Sequence, residues 1–148
     1  MSMADGAGPS FEEIAETFEL MDEWEDRYRY VIELGRALPP LPEARRGAET
    51  KVEGCASQVW LDTRIDADTD GARRLYFEGD SDAHIVRGLI AVLRALLNGR
   101  LVADAAQADP IAELARLGLD AQLSSQRSNG LRAMVERLTT IARAANGR

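Results

Sequence analysis

The stretch Lys51-Val-Glu-Gly-Cys-Ala-Ser-Gln-Val-Trp-Leu61 decides how the chain is read, because it sets the lone cysteine among strand-like residues. After it, Val59, Leu61, Thr63 and Ile65 alternate with Trp60, Asp62, Arg64 and Asp66, the period of a strand with one buried face. Val52 reads as the end of a short strand, so Cys55 is expected at the turn between two strands. Gly54 frees the backbone beside it, and Ala56 and Ser57 are small, so a second molecule can approach the sulfur. Two readings stand: a presented reactive thiol, or the small buried hydrophobe that a free cysteine often is.

Outward from this stretch, the sequence reads as α+β. Ser10 and Glu13 have capping-box spacing ahead of Phe11, Ile14, Ala15 and Phe18, which predicts a helix over residues 11–20. A second helix is expected from about Asp22, with Trp24, Tyr28, Val31 and Ile32 on its apolar side, stopping between Gly35 and Pro39-Pro40. Trp24 and Tyr28 read as core residues rather than as an aromatic box. A proline-stiffened linker, residues 38–48, then leads into three expected strands at about 49–52, 58–66 and 74–79, a small antiparallel meander whose edge hairpin carries Cys55.

The Asp66-Ala-Asp-Thr-Asp-Gly71 turn resembles a calcium loop only superficially, since Phe77 stands where the distal glutamate belongs. Ser81 is expected to cap a core helix over 82–97, stopped by Asn98-Gly99. A short turn follows near 103–107. Asp109-Pro110 opens a small helix that ends at Gly118, and a last helix is expected over about 129–144. Residues 1–9 read as a flexible lead, with one domain over 10–148.

Composition narrows the function. The net charge of -7 lies wholly in residues 1–50, which hold twelve acids against five arginines, and no basic stripe with interleaved aromatics appears, so nucleic acid is not an expected partner. The longest apolar run, residues 89–97, is broken by Arg94, and the lead lacks a signal-peptide core; no membrane association and a cytoplasmic location are expected. One cysteine and one histidine, His84, cannot build a structural metal or cluster site. Lys51 is the sole lysine, but no glycine-rich phosphate loop accompanies it to hold a pyridoxal cofactor. What remains is a single thiol with arginines available to stabilise its thiolate, which suits a carrier of sulfur better than a complete enzyme.

Four motifs occur in one order: Trp24-Glu25-x-Arg27-Tyr28-x-Tyr30-Val31-Ile32-Glu33-Leu34-Gly35; Val52-x-Gly54-Cys55-x-Ser57-Gln58-Val59-Trp60; Phe77-Glu78-Gly79-Asp80-Ser81-Asp82-Ala83 with Ile85-Val86-Arg87-Gly88-Leu89; and Arg127-Ser128-Asn129-Gly130-Leu131. Together they resemble the SufE-type sulfur-acceptor family, which includes the CsdE proteins. The resemblance implies a single SufE/IscU-like domain in which Cys55 accepts persulfide sulfur from a SufS- or CsdA-type cysteine desulfurase, stimulates that enzyme, and passes the sulfur to an iron-sulfur scaffold. It implies a non-enzymatic carrier without a cofactor of its own, the pyridoxal phosphate belonging to the desulfurase.

It further implies that Arg127 stabilises the thiolate or persulfide and holds the cysteine loop. Asp80 and Asp82 match an acidic strand-to-helix junction, read either as helix capping or as partner contact. Gln122-Leu123-Ser124-Ser125-Gln126 departs from the family's histidine- and proline-containing run before the arginine. A thiol redox protein and a cysteine-independent adaptor are the alternatives from other classes.

Overall fold

A computed structural model describes residues 8–147; residues 1–7 and 148, which include most of the expected flexible lead, lie outside the described residues. The order is α1 (Phe11–Glu19), α2 (Trp24–Arg36), a 3₁₀ turn (Glu43–Arg45), β1 (Val59–Ala67), β2 (Arg73–Ser81), α3 (His84–Leu97), α4 (Val102–Gln107), α5 (Pro110–Arg116), α6 (Leu119–Gln122) and α7 (Ser125–Asn146). The α+β class is as read, but the sheet has two strands and not three. β1 and β2 pair antiparallel from Val59↔Ser81 to Ala67↔Arg73.

The expected first strand is reduced to one bridge, Lys51↔Trp60, with the bonds Val52 N to Val59 O and Leu61 N to Thr50 O on either side of it. Residues 48–50 are instead drawn into a turn, where Thr50 N and Lys51 N both donate to the Gly47 carbonyl. Arg137 of α7 takes the carbonyls of Glu49 and Lys51. Those carbonyls are thereby satisfied without a ladder.

The core lies between the sheet and the helices. β1 gives Val59 and Leu61 and β2 gives Leu75 and Phe77; α3 adds Leu89, Ile90 and Leu93, and α7 adds Leu131, Met134 and Leu138. The capping box at α1 forms in full, Glu13 N donating to Ser10 Oγ at 3.1 Å and Ser10 N to Glu13 Oε1 at 2.8 Å. Trp24 and Tyr28 are partly buried against the core, as read, and Phe18 meets Trp24 and Tyr30 edge-on.

Two helix starts differ from expectation. α3 begins at His84 with Ala83 as its N-cap, because Ser81 still belongs to β2 and its Oγ accepts from Ala83 N. α7 begins four residues earlier than residue 129, because Ser124 caps it by accepting from Arg127 N at 3.3 Å.

α2 and α3 cross at two glycines. A Cβ on Gly88 would stand 2.1 Å from the Val31 carbonyl oxygen, and one on Gly35 would stand 2.5 Å from the Gly88 nitrogen. Both obstacles are backbone and cannot swing aside. Beside this crossing, Arg87 pairs with Asp80 and also donates to the carbonyls of Leu38 and Gly35. Asp80 accepts in addition from Leu41 N at 2.9 Å and Ser81 N at 2.8 Å.

Two stability effects are expected, each read by denaturant unfolding. Gly88→Ala should destabilise the fold by about 3 kcal/mol or more, the upper end of overpacking costs. Asp80→Ala should cost roughly 3 to 5 kcal/mol, because it strands a guanidinium held mostly away from water.

Candidate functional site

The neck of the cysteine loop is fixed from three sides. Arg137 Nη1 donates to the Lys51 carbonyl at 2.8 Å and Arg137 Nη2 to that of Glu49 at 2.6 Å. Across the neck Lys51 Nζ donates to Gln58 Oε1 at 3.1 Å. The far end is held by Asp82, whose carboxylate accepts from Gln58 N at 3.1 Å while its own N–H donates to the Gln58 carbonyl. Between these anchors residues 53–58 form turns and bends, with Gly54 at φ +89°, a conformation other residues adopt only under strain.

Cys55 therefore sits on a loop beside a bridge rather than on a hairpin turn between two full strands. It is half-buried, and its Sγ donates to the Gly130 carbonyl of α7 at 3.7 Å. Beside it lies a cavity of about 350 Å³, walled by Val86 and Leu89 of α3, Leu131 and Met134 of α7, and Val59 of β1, with Arg127 among its polar residues. Burial pushes the Cys55 thiol above its ordinary range, and the Glu53 carboxylate adds to the shift. The resting sulfur is a protonated, weakly nucleophilic thiol.

The structure brings Cys55 and Arg127 to one cavity, but the guanidinium is occupied elsewhere: Arg127 Nη1 donates to the Tyr28 hydroxyl at 2.7 Å, with the cation 5.9 Å from the Tyr28 ring centre. The hold on the loop that the resemblance assigned to Arg127 is made at the neck by Arg137. Arg137 was missed; its sign in the sequence is a two-turn spacing from Gly130, which places both on one face of α7.

Asp80 is a buried structural anchor, and Asp82 ties the loop; neither accepts a capping bond from α3. His84 is exposed on the first residue of α3 and is not among the residues lining the cavity. In the aspartate-rich turn, Asp66 pairs with Arg64 and Asp68 with Arg74. No described helix is long and apolar enough to cross a membrane.

A loop-borne cysteine over a cavity of mixed apolar and polar lining, beside a two-stranded sheet backed by helices, defines a class, and comparison with known proteins says which one. Residues 12–142 match the SufE family, described as an Fe-S metabolism associated domain, and the chain belongs to that family. It is 52% identical over 134 residues to an uncharacterized SufE-like protein of Rhizobium etli, covering 90% of each chain. It is 50% identical over 133 residues to a counterpart in Rhizobium meliloti, covering 90% of this chain and 94% of that one. It is 38% identical over 131 residues to the sulfur acceptor protein CsdE of Escherichia coli, covering 88% and 86%. The solution structure of a hypothetical protein from Thermus thermophilus shares the fold, with a TM-score of 0.71 at 21% identity over 93% of this chain and 96% of that one.

The shifted thiol predicts a pH dependence. Alkylation of Cys55 by iodoacetamide should be slow at neutral pH and keep rising with pH beyond the point where a free cysteine levels off. Glu53→Gln removes one of the two causes, so its profile should move to lower pH and its rate at pH about 8 should increase, while burial keeps it above that of a free thiol.

Proposed function

We propose that this chain is a sulfur acceptor for a cysteine desulfurase, with Cys55 as the acceptor and an iron-sulfur assembly scaffold as the onward recipient. The observation that carries the reading is a single half-buried thiol, on a loop of small residues, beside a cavity that Arg127 also lines, in a chain of the SufE family. The 38% identical relative named a sulfur acceptor supports it.

In the first step the Cys55 thiolate attacks the terminal sulfur of a persulfide on the desulfurase. The new S–S bond forms on Cys55, the partner's S–S bond breaks, its cysteine leaves as a thiolate, and the Cys55 proton passes to solvent. Nothing is oxidised or reduced overall, so no cofactor of this chain is required, and the pyridoxal chemistry remains with the desulfurase. The second step repeats the exchange, with an acceptor thiolate attacking the sulfur now carried on Cys55.

A thiol that is protonated at rest suits a carrier that should react only when a partner docks and changes its surroundings. Docking that lifts the loop from the Gly130 carbonyl would rehydrate the sulfur and lower its pKa. Arg127, at the same cavity, supplies a positive charge for the persulfide anion once Tyr28 releases it. A cytoplasmic setting fits a lone thiol that must stay reduced.

Intact mass after incubation with a cysteine desulfurase and cysteine, without reductant, tests this. The wild type should gain one sulfur atom and Cys55→Ser none; a folded wild type that gains none from active desulfurases would point to an adaptor instead. Arg127→Ala should accept sulfur roughly tenfold more slowly, the equivalent of one pKa unit of lost charge stabilisation. A normal rate would remove that role from Arg127.

A further inference from the structure

Gly130 is buried at the sixth position of α7, where a glycine costs about 1 kcal/mol relative to alanine. Packing of the resting state does not demand it. A Cβ there would lie 3.5 Å from Cys55 Sγ, 3.8 Å from Cys55 Cβ and 3.9 Å from Cys55 Cα, all ordinary van der Waals contacts, and the backbone is helical. The helix thus forgoes a stabilising methyl at the one place where that methyl would touch the sulfur. The contrast with Gly35 and Gly88 is direct, since a Cβ on either would collide with backbone.

We infer that Gly130 is a specificity-determining residue that keeps open, against Cys55 Sγ, the space into which a second sulfur atom bonded to that Sγ fits. The Gly130 carbonyl oxygen, 3.7 Å from Sγ, blocks the line of the resting S–H, so an S–S bond must turn off it into the cavity that Cys55 and Gly130 both line, past the surface of α7 that glycine leaves bare. A disulfide-type bond is about 2 Å long. A sulfur turned into the cavity on the Gly130 side would meet a Cβ standing only 3.5 Å from Sγ, and meets none where the residue is glycine. Arg127 lies one turn earlier on α7 and lines the same cavity, with its guanidinium held on Tyr28. The inference takes its purpose from the sulfur-acceptor reading, but its test does not need a desulfurase.

The experiment loads full-length wild type and Gly130→Ala with inorganic polysulfide. The Cys55 thiolate attacks a terminal sulfur of the polysulfide, which leaves one sulfur shorter, and the thiol proton goes to solvent. Loading is read by intact mass, and exposure of the carried sulfur by the rate at which cyanide removes it as thiocyanate, with Cys55→Ser as the blank.

Gly130→Ala is expected to melt at or above the wild-type temperature. It should also hold less sulfur at equilibrium or lose it to cyanide faster, by roughly tenfold, within the range set by overpacking by one carbon. Loading and cyanide rates both equal to wild type would overturn the inference, and so would a lower melting temperature, because glycine would then be required by packing. Failure of the sulfur-acceptor reading shows separately, as a wild type that loads with polysulfide but gains no sulfur from a desulfurase.

Discussion

Arg87 and Asp80 tie the linker after α2 to the junction of β2 and α3. The pair joins α3 to the end of β2, and the remaining donors of Arg87 reach the carbonyls of Gly35 at the end of α2 and Leu38 in the linker. Asp80 in turn fixes the linker's far side through Leu41 N. A buried ion pair is weak evidence for stability, since desolvation offsets its attraction. What it does here is fix a path: the linker so placed delivers the 3₁₀ turn, where Arg45 pairs with Asp62 of β1 and Glu78 of β2. From there the chain arrives at the neck of the cysteine loop. The site rests on this run of contacts, although none of them touches the sulfur.

The site itself combines a rigid neck with a reticent thiol. Arg137, Gln58 and Asp82 fix the two ends of the loop, while the sulfur at its middle rests on one long, weak bond to a helix carbonyl. Anchoring and reactivity are therefore separable: the loop can change its conformation without disturbing β1. The partial burial that raises the thiol's pKa also limits how much water reaches the sulfur, so one feature contributes to both quiescence and shelter.

Local chemistry was legible in the sequence where both partners of an interaction lie within a few residues. The capping box of Ser10 and Glu13, the Asp109-Pro110 start of α5 and the alternation of β1 all formed. The turn expected at Cys55 is an irregular loop beside a single bridge. The third strand failed because pattern alone could not reveal that Arg137, 86 residues beyond Lys51, would satisfy the backbone there. The start of α7 was set too late because Ser124 acts as a cap without an acidic residue behind it. The cavity, the parking of Arg127 on Tyr28 and the contact with Gly130 depend on α2, α3 and α7 converging, which no local spacing encodes.

The sheet has one more property. A two-stranded ribbon is marginal by itself and leaves two edges able to recruit foreign strands. Here the outer side of β1 is stopped by the Lys51↔Trp60 bridge, and that of β2 by Arg74↔Leu101 with Leu75 N donating to Arg100 O and Gly99 N to Leu75 O. Short plugs of chain thus stand where further strands would add. A foreign strand that paired along the full length of either edge would have to displace them, which works against polymerisation through the backbone.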